Sequence, residues 1–368
     1  MLPMRKMLVL ACAVACLCPL FCLAQYTQRE ARAIARFENE LKASVADDGI
    51  DGSISAAIVK NDKVIWAKAF GYANRDTKEL ADTGTIYRMG SITKTFTSTL
   101  LMMLVEDKTV LLDDPAEKYV PEVARIIGYG KDTKFTLRQL ASHTSGLYRY
   151  AAHESVAVGG ENVWQGLLLA DLPTASFASR PGKQWLYSDL GHAILQLALE
   201  RAAHISYVTM VKERIIYPLH MTHTFISIDP NRENLAQGLD NRNGAADADQ
   251  PRRMHVGRGP AAANGSLYST PADLAKFFST FMVQPGLLSK ASIREMQQIP
   301  KGGKDYGLGM FVIPGSDVIG HDGWVPGYTA QFSIELDKKY AVIIMRNYNV
   351  SVLNLAEAAG RLWEGIGQ

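Results

Sequence analysis

Met89-Gly90-Ser91-Ile92-Thr93-Lys94-Thr95-Phe96 reads as a turn opening into the apolar run Leu100-Leu101-Met102-Met103-Leu104-Val105. A helix starting near Ser91 puts residues 91 and 94 one turn apart on one face, so a hydroxyl and an amine stand side by side. A serine hydroxyl is too weak an acid to attack an acyl carbon unaided and needs a base within hydrogen-bond reach. Lysine fills that role when burial disfavours its charged form. The same helix start offers backbone N–H groups to an oxyanion. Ser-x-x-Lys is a loose pattern by itself, and a serine at a helix start is commonly a cap. Its meaning therefore depends on the rest of the chain.

Upstream, Thr27-x-x-Glu30 is a capping box followed by Ala31, Ile34, Phe37 and Leu41 at helical spacing, which predicts an amphipathic helix over 27–45. Residues 53–60 and 63–70 are β-rich runs joined at Asn61-Asp62, a hairpin. Downstream, Thr136 to Gln139 is another capping box. Residues 228–265 are rich in Asn, Asp, Gly and Arg without hydrophobic period, which predicts a lid or a mobile insertion. Thr270-Pro271 restarts a helix. Residues 331–336 and 340–346 form a second hairpin, and 352–363 reads as a closing helix. Strands at both ends and helices between them predict an α/β chain of the α+β kind: one antiparallel sheet flanked by helices, built from both termini, with an inserted, mostly helical lobe. The sheet lobe is expected at about 25–106 and 300–368, the helical lobe at about 107–299.

The first residues carry a different signal. Arg5 and Lys6 precede an apolar run from Met7 to Leu23 that ends at Ala24. This is the pattern of a secretory leader cleaved after Ala24, the alternative being a retained membrane anchor. A periplasmic or secreted protein is expected, in membrane contact only through an uncleaved or lipidated leader. All four cysteines (Cys12, Cys16, Cys18 and Cys22) lie in that segment, so processing leaves no disulfide and no cysteine metal site. It also removes Arg5 and Lys6 and no acid, taking the formal charge from +2 to neutral. Such a protein is a poor nucleic-acid binder. With 47% apolar and 21% charged residues, the 368-residue chain has ordinary globular composition.

Two more polar clusters follow. Residues 181–192, containing Tyr187-Ser188-Asp189, run as a loop into the apolar helix 193–199. A phenol there can relay protons if nearby cations lower its pKa. Gly320-His321-Asp322-Gly323-Trp324 reads as a glycine-rich entry to a following strand, where backbone can approach a ligand closely.

Taken in order, the three clusters resemble the serine β-lactamase-like superfamily, in the branch holding class C β-lactamases, D-Ala-D-Ala carboxypeptidases, D-aminopeptidases and related esterases. The framing phrases Tyr87 to Gly90, Leu137 to Leu147, Leu267 to Pro271 and Tyr306 to Gly309 extend the resemblance from about residue 30 to the end. It implies Ser91 as the acylated nucleophile, Lys94 as its partner in proton transfer, and Tyr187 acting with Lys94 as general base and then acid. His321-Asp322-Gly323 takes the place of the third motif, and the oxyanion hole falls to the N–H groups of Ser91 and Trp324. Substrate contacts are implied at Asp189, Gly323 and Trp324. Asp189 stands where the family usually has asparagine, so an ionised side chain there only accepts hydrogen bonds. It favours an N–H or ammonium over a carbonyl, and it favours the charged form of Lys94. His321 replaces a lysine and supplies a titratable charge in place of a fixed one.

The expectation is an exported serine hydrolase acting on a small-molecule, short peptide or ester substrate, a peptidase or esterase more than a β-lactamase. The alternative of another class is a penicillin-binding sensor that does not turn over, or an inactive scaffold. No cofactor is expected and no metal, because His220-x-x-His223 lacks a third ligand. His143 and Ser145 are expected to hold a loop.

Overall fold

The computed structural model describes residues 26–151, 164–253 and 262–367, so the leader expected at 1–24 lies outside the described residues. In chain order the elements are α1 (Gln28–Asp47), β1 (Ser53–Lys60), β2 (Lys63–Asn74), β3 (Glu79–Leu80), β4 (Tyr87–Arg88), α2 (Thr93–Glu106), α3 (Leu137–Ala141), α4 (Trp164–Asp171), α5 (Asp189–Ala203) and α6 (Tyr207–Val211). They continue with α7 (Asp249–Arg253), α8 (Ala262–Gly265), β5 (Tyr268–Ser269), α9 (Pro271–Met282), α10 (Lys290–Gln297), β6 (Phe311–Val312), β7 (Val318–Val325), β8 (Tyr328–Glu335), β9 (Tyr340–Arg346) and α11 (Leu355–Gly367).

Seven strands form an antiparallel sheet in the order β3-β2-β1-β9-β8-β7-β6, and β4 pairs with β5 in a separate ribbon. β1 joins β9 with Ala57 opposite Ile343, so the centre of the sheet comes from both ends of the sequence, as the strand pattern predicts. β9 is buried along its whole length because both of its faces are covered. Val342 and Ile344 pack with Ile34, Phe37 and Leu41 of α1 and Ala358, Ala359 and Leu362 of α11. Ala341, Ile343 and Met345 face the larger core, where Phe278 of α9 stacks on Phe332 of β8 at 3.9 Å and Phe96 of α2 on Phe277 at 3.8 Å. Alternation along one strand thus serves two cores.

The capping box at Thr27 forms, with Thr27 Oγ1 accepting from Glu30 N at 3.2 Å and Glu30 accepting from Thr27 N. Glu30 does more than cap. It also takes Lys60 Nζ at 2.7 Å and the Tyr340 hydroxyl, fastening α1 to β1 and β9. Burial raises this carboxyl, but its hydrogen bonds prevail and hold it at about 2.

Three expectations change. The closing helix starts at Leu355 rather than 352, because the Asn354 side chain accepts from Ala356 N (2.9 Å) and Glu357 N (3.2 Å). The stretch predicted as a lid or mobile insertion carries α7 and α8, and its described part is tied to the rest of the molecule by hydrogen bonds around the buried residues 238–241. Ile86 N donates to Asn234 O, Leu239 N to Asn347 O, and the Asn241 side chain accepts from Asn349 N and Val350 N. Backbone and asparagine hydrogen bonds hold this segment, which is why it shows no hydrophobic period. Residues 320–325, read as a strand entry, are themselves strand β7, with His321 opposite Phe332. Their glycines mimic a turn in sequence but here let neighbouring backbone pass close by. Among the described residues no helix is long and apolar enough to cross a membrane.

Candidate active site

Ser91 lies in a short 3-10 turn, Gly90–Ile92, that leads directly into α2. Gly90 has φ +54°, and a Cβ there would meet Trp324 N at 2.7 Å. A Cβ on Gly323 would lie 1.9 Å from Met89 O. The serine turn therefore rests against bare backbone of β7, and glycine is required on both sides of that contact.

Lys94 sits one turn into α2 and is wholly buried. Its Nζ donates to Ser91 Oγ at 3.2 Å and to Asn264 O of α8 at 2.9 Å, and it pairs with Asp189 Oδ1 at 2.7 Å. Burial pushes the ammonium down, but the Asp189 carboxylate and the Tyr187 phenol outweigh it, and the amine is held above its ordinary range. The carboxylate named as a departure in the sequence thus keeps Lys94 charged at rest.

Tyr187 and Asp189 flank Ser188, the cap of α5. Ser188 Oγ accepts from Gly191 N and donates to Tyr148 O, both at 2.9 Å. The helix consequently begins at Asp189, earlier than its apolar run, and its first turn favours a carboxylate. Ser188 N donates to Nδ1 of His143 at 3.0 Å, and the His143 ring lies over Tyr187 with centroids 4.2 Å apart. His143 thus holds the loop, as its place in the framing phrase suggests. The Tyr187 ring centroid is 4.7 Å from Lys94 Nζ. Burial raises the phenol; Lys94 and Ser91 pull it down without cancelling that, so it stays protonated rather than becoming the acidic phenol that nearby cations suggested.

His321 is 1% exposed, on the inner face of β7. Its Nδ1 lies 2.6 Å from Asp322 O, which can only accept, so Nδ1 carries the proton. Nε2 then accepts from the Tyr306 hydroxyl at 2.9 Å. Both nitrogens are occupied, and burial with the Lys94 charge lowers the imidazole to about 4 despite the opposing Asp322. The expected titratable charge near neutral pH is therefore absent: His321 is neutral above about 4.

A stability prediction follows with a definite sign. His321 falls from 6.5 to about 4 on folding, so its contribution is fully present above pH 6.5 and lost as the pH falls toward 4. Between pH 7 and pH 4.5 that single group is expected to cost about 2 kcal/mol. Urea unfolding at pH 7 and pH 4.5 should show this loss in the native protein and a smaller one in His321→Gln. An equal loss in both would remove His321 as its source.

The structure thus gathers Ser91, Lys94, Tyr187 and Asp189 in one cluster, with Gly323 and Trp324 behind it and His321 beside it, 6.5 Å from the Tyr187 ring between centroids. Sequence reasoning missed Arg149, whose Nε reaches Asp189 Oδ2 at 3.0 Å, and Asn264, whose carbonyl holds Lys94. Arg149 stands two residues past the framing phrase, the one signal that could have flagged it. Asp189, expected to take a substrate N–H or ammonium, already carries two cations. His220 lies in a turn at φ +50°, and among the described residues no group of three metal-ligating side chains forms.

The beta-lactamase family model matches residues 37–364, and the chain belongs to that family. Beta-lactamase-like protein 2 of Dictyostelium discoideum is 30% identical over 271 residues, covering 72% of this chain and 48% of that protein. The D-alanyl-D-alanine-carboxypeptidase/endopeptidase AmpH of Escherichia coli (strain K12) is 31% identical over 249 residues, 64% of this chain and 58% of that protein. The chain spans about half the length of these curated relatives. A solved D-stereospecific amidohydrolase from Streptomyces sp. superposes with a TM-score of 0.71 at 25% identity, covering 90% of this chain and 97% of that one.

Proposed function

We propose that the protein is an exported serine hydrolase that works by acyl transfer through Ser91, on an ester or peptide-like amide. The observation carrying this reading is the Lys94 amine on Ser91 Oγ at 3.2 Å, beneath the Tyr187 ring and with β7 backbone behind the serine. Ser91 Oγ attacks the carbonyl carbon, and its proton passes to Lys94 once that amine is neutral. The N–H groups of Ser91 and Trp324 receive the developing oxyanion. Tyr187 hands its proton to the leaving group and is reprotonated by the one Lys94 took from Ser91, which leaves the amine neutral again; water then adds to the acyl carbon and Ser91 leaves with its proton restored. The D-amidohydrolase and carboxypeptidase likenesses support this reading. Export rests on the leader pattern of residues 1–24.

The test is a panel of short-chain esters, D-amino-acid amides, a D-Ala-D-Ala peptide and a chromogenic cephalosporin, with intact-mass detection of the adduct. Turnover with a transient adduct mapping to Ser91 supports the hydrolase. A persistent penicillin adduct without turnover supports a sensor, and neither result is compatible with an unmodified Ser91.

Asp189→Asn tests the base. Removing the carboxylate leaves burial to dominate at Lys94, so its pKa falls and the neutral fraction at pH 7 rises, about tenfold for each unit. Acylation by the cephalosporin should speed up, and the acid limb of its pH profile should move to lower pH. An unmoved limb would exclude Lys94 as the base.

A further inference from the structure

Two cations and one carboxylate meet beside the Tyr187 ring. Lys94 Nζ contacts Asp189 Oδ1 and Arg149 Nε contacts Oδ2, so each oxygen has a cation on it and the cluster, with Lys94 charged, carries one net positive charge. The cations differ in access: Lys94 is sealed in, whereas the Arg149 side chain is 54% exposed. The guanidinium is fixed by more than its ion pair, because its Cζ lies 5.0 Å from the Tyr187 ring centroid and 5.1 Å from that of Tyr150. With Nε committed to Asp189, no acceptor among the described residues engages Nη1 or Nη2. An arginine anchored through Nε presents those two groups as a fork matched to a carboxylate.

β7, the strand behind the serine turn, carries no lysine or arginine. Both His321 nitrogens are engaged by Tyr306 and Asp322. Arg242, which lies 4.8 Å from the Trp324 ring, is matched one to one by Asp240 on two of its nitrogens. Arg149 instead shares its counter-ion with Lys94.

We propose that Arg149 is the receptor for an anionic group of the substrate, a carboxylate by preference, held beside Tyr187 at the start of α5. Asp189 is then the anchor that aims Arg149 rather than a substrate ligand. An ammonium in this place would meet two cations sharing one carboxylate. The proposal rests on acyl transfer at Ser91 and adds the substrate class.

The experiment compares kcat/KM for two matched pairs in the native protein, Arg149→Gln and Arg149→Lys. One pair is p-nitrophenyl hydrogen glutarate against p-nitrophenyl valerate, with the charge on the acyl side. The other is N-acetyl-D-alanyl-D-alanine against its C-terminal amide, with the charge on the leaving side. The native protein should prefer the anionic member of at least one pair by about 10- to 100-fold, as for a charge-assisted contact. Arg149→Gln should erase that ratio, chiefly through KM, and Arg149→Lys should restore part of it. An Arg149 that only braces Asp189 would lower both members together and leave the ratio unchanged, which overturns the proposal. So would a native preference for D-alanine p-nitroanilide over its N-acetyl form, which places an ammonium on Asp189 instead. Calorimetric titration with glutarate reads the site without turnover. Saturable binding lost in Arg149→Gln supports it even if no substrate is cleaved and the hydrolase reading falls, and no native binding with no native anion preference overturns it.

Discussion

Ser91→Ala is expected to lose hydrolysis of every ester, amide and β-lactam the native protein turns over, by about 10⁴-fold or more, the scale seen when a nucleophile is removed from a catalytic unit. The thermal midpoint should barely move. The substitution deletes one hydroxyl in a partly exposed turn, and Lys94 keeps its ion pair with Asp189 and its bond to Asn264 O. The buried amine is thus not left without partners, the circumstance that would make the loss costly. Turnover at the native rate in this variant would remove Ser91 from the chemistry.

Gly323→Ala should also be damaging, though less so, by a route that touches no functional group. Gly323 lies in strand β7, where alanine is conformationally acceptable, so only space is at issue. The added carbon would sit 1.9 Å from Met89 O and 2.9 Å from Met89 C, and that backbone has no rotamer through which to yield. Either β7 or the serine turn must retreat. A shift of about 1 Å costs on the order of 100-fold in rate when it separates a nucleophile from its oxyanion donors. Overpacking of this kind destabilises by about 1–3 kcal/mol. Gly360→Ala on α11 is the control, since nothing stands within 4 Å of its added carbon, and it should be neutral or slightly stabilising. Native activity in Gly323→Ala would show that the serine turn does not depend on β7.

The parts of this site that sequence made legible are those whose logic is local. Ser91 and Lys94 are one turn apart, Thr27 and Glu30 cap the same helix, and Asn61-Asp62 joins two runs that pair as a hairpin. The illegible parts are set by distant segments. Nothing around Asn264 reveals that its carbonyl will meet Lys94, and nothing around Arg149 reveals that Asp189 will be shared. The Asp189 substitution could be spotted, and its effect on Lys94 anticipated, because the direction follows from charge alone. Its second partner could not. His321 was misjudged for a related reason. A histidine between glycines looks accessible and titratable, whereas the sheet turns it inward beneath Tyr306 and binds both nitrogens.

The pairing of β1 with β9 also has a bearing on synthesis. A ribosome finishes β1 and β2 long before it makes the strand that flanks them. Until Tyr340 to Arg346 emerges, the β1 edge of the hairpin has no partner strand, and α1 is the one helix of that layer already made, α11 following β9. Pairings this far apart in sequence form slowly. Truncation ahead of β9 is expected to leave the β1 edge unpaired and to give aggregation rather than a smaller folded protein.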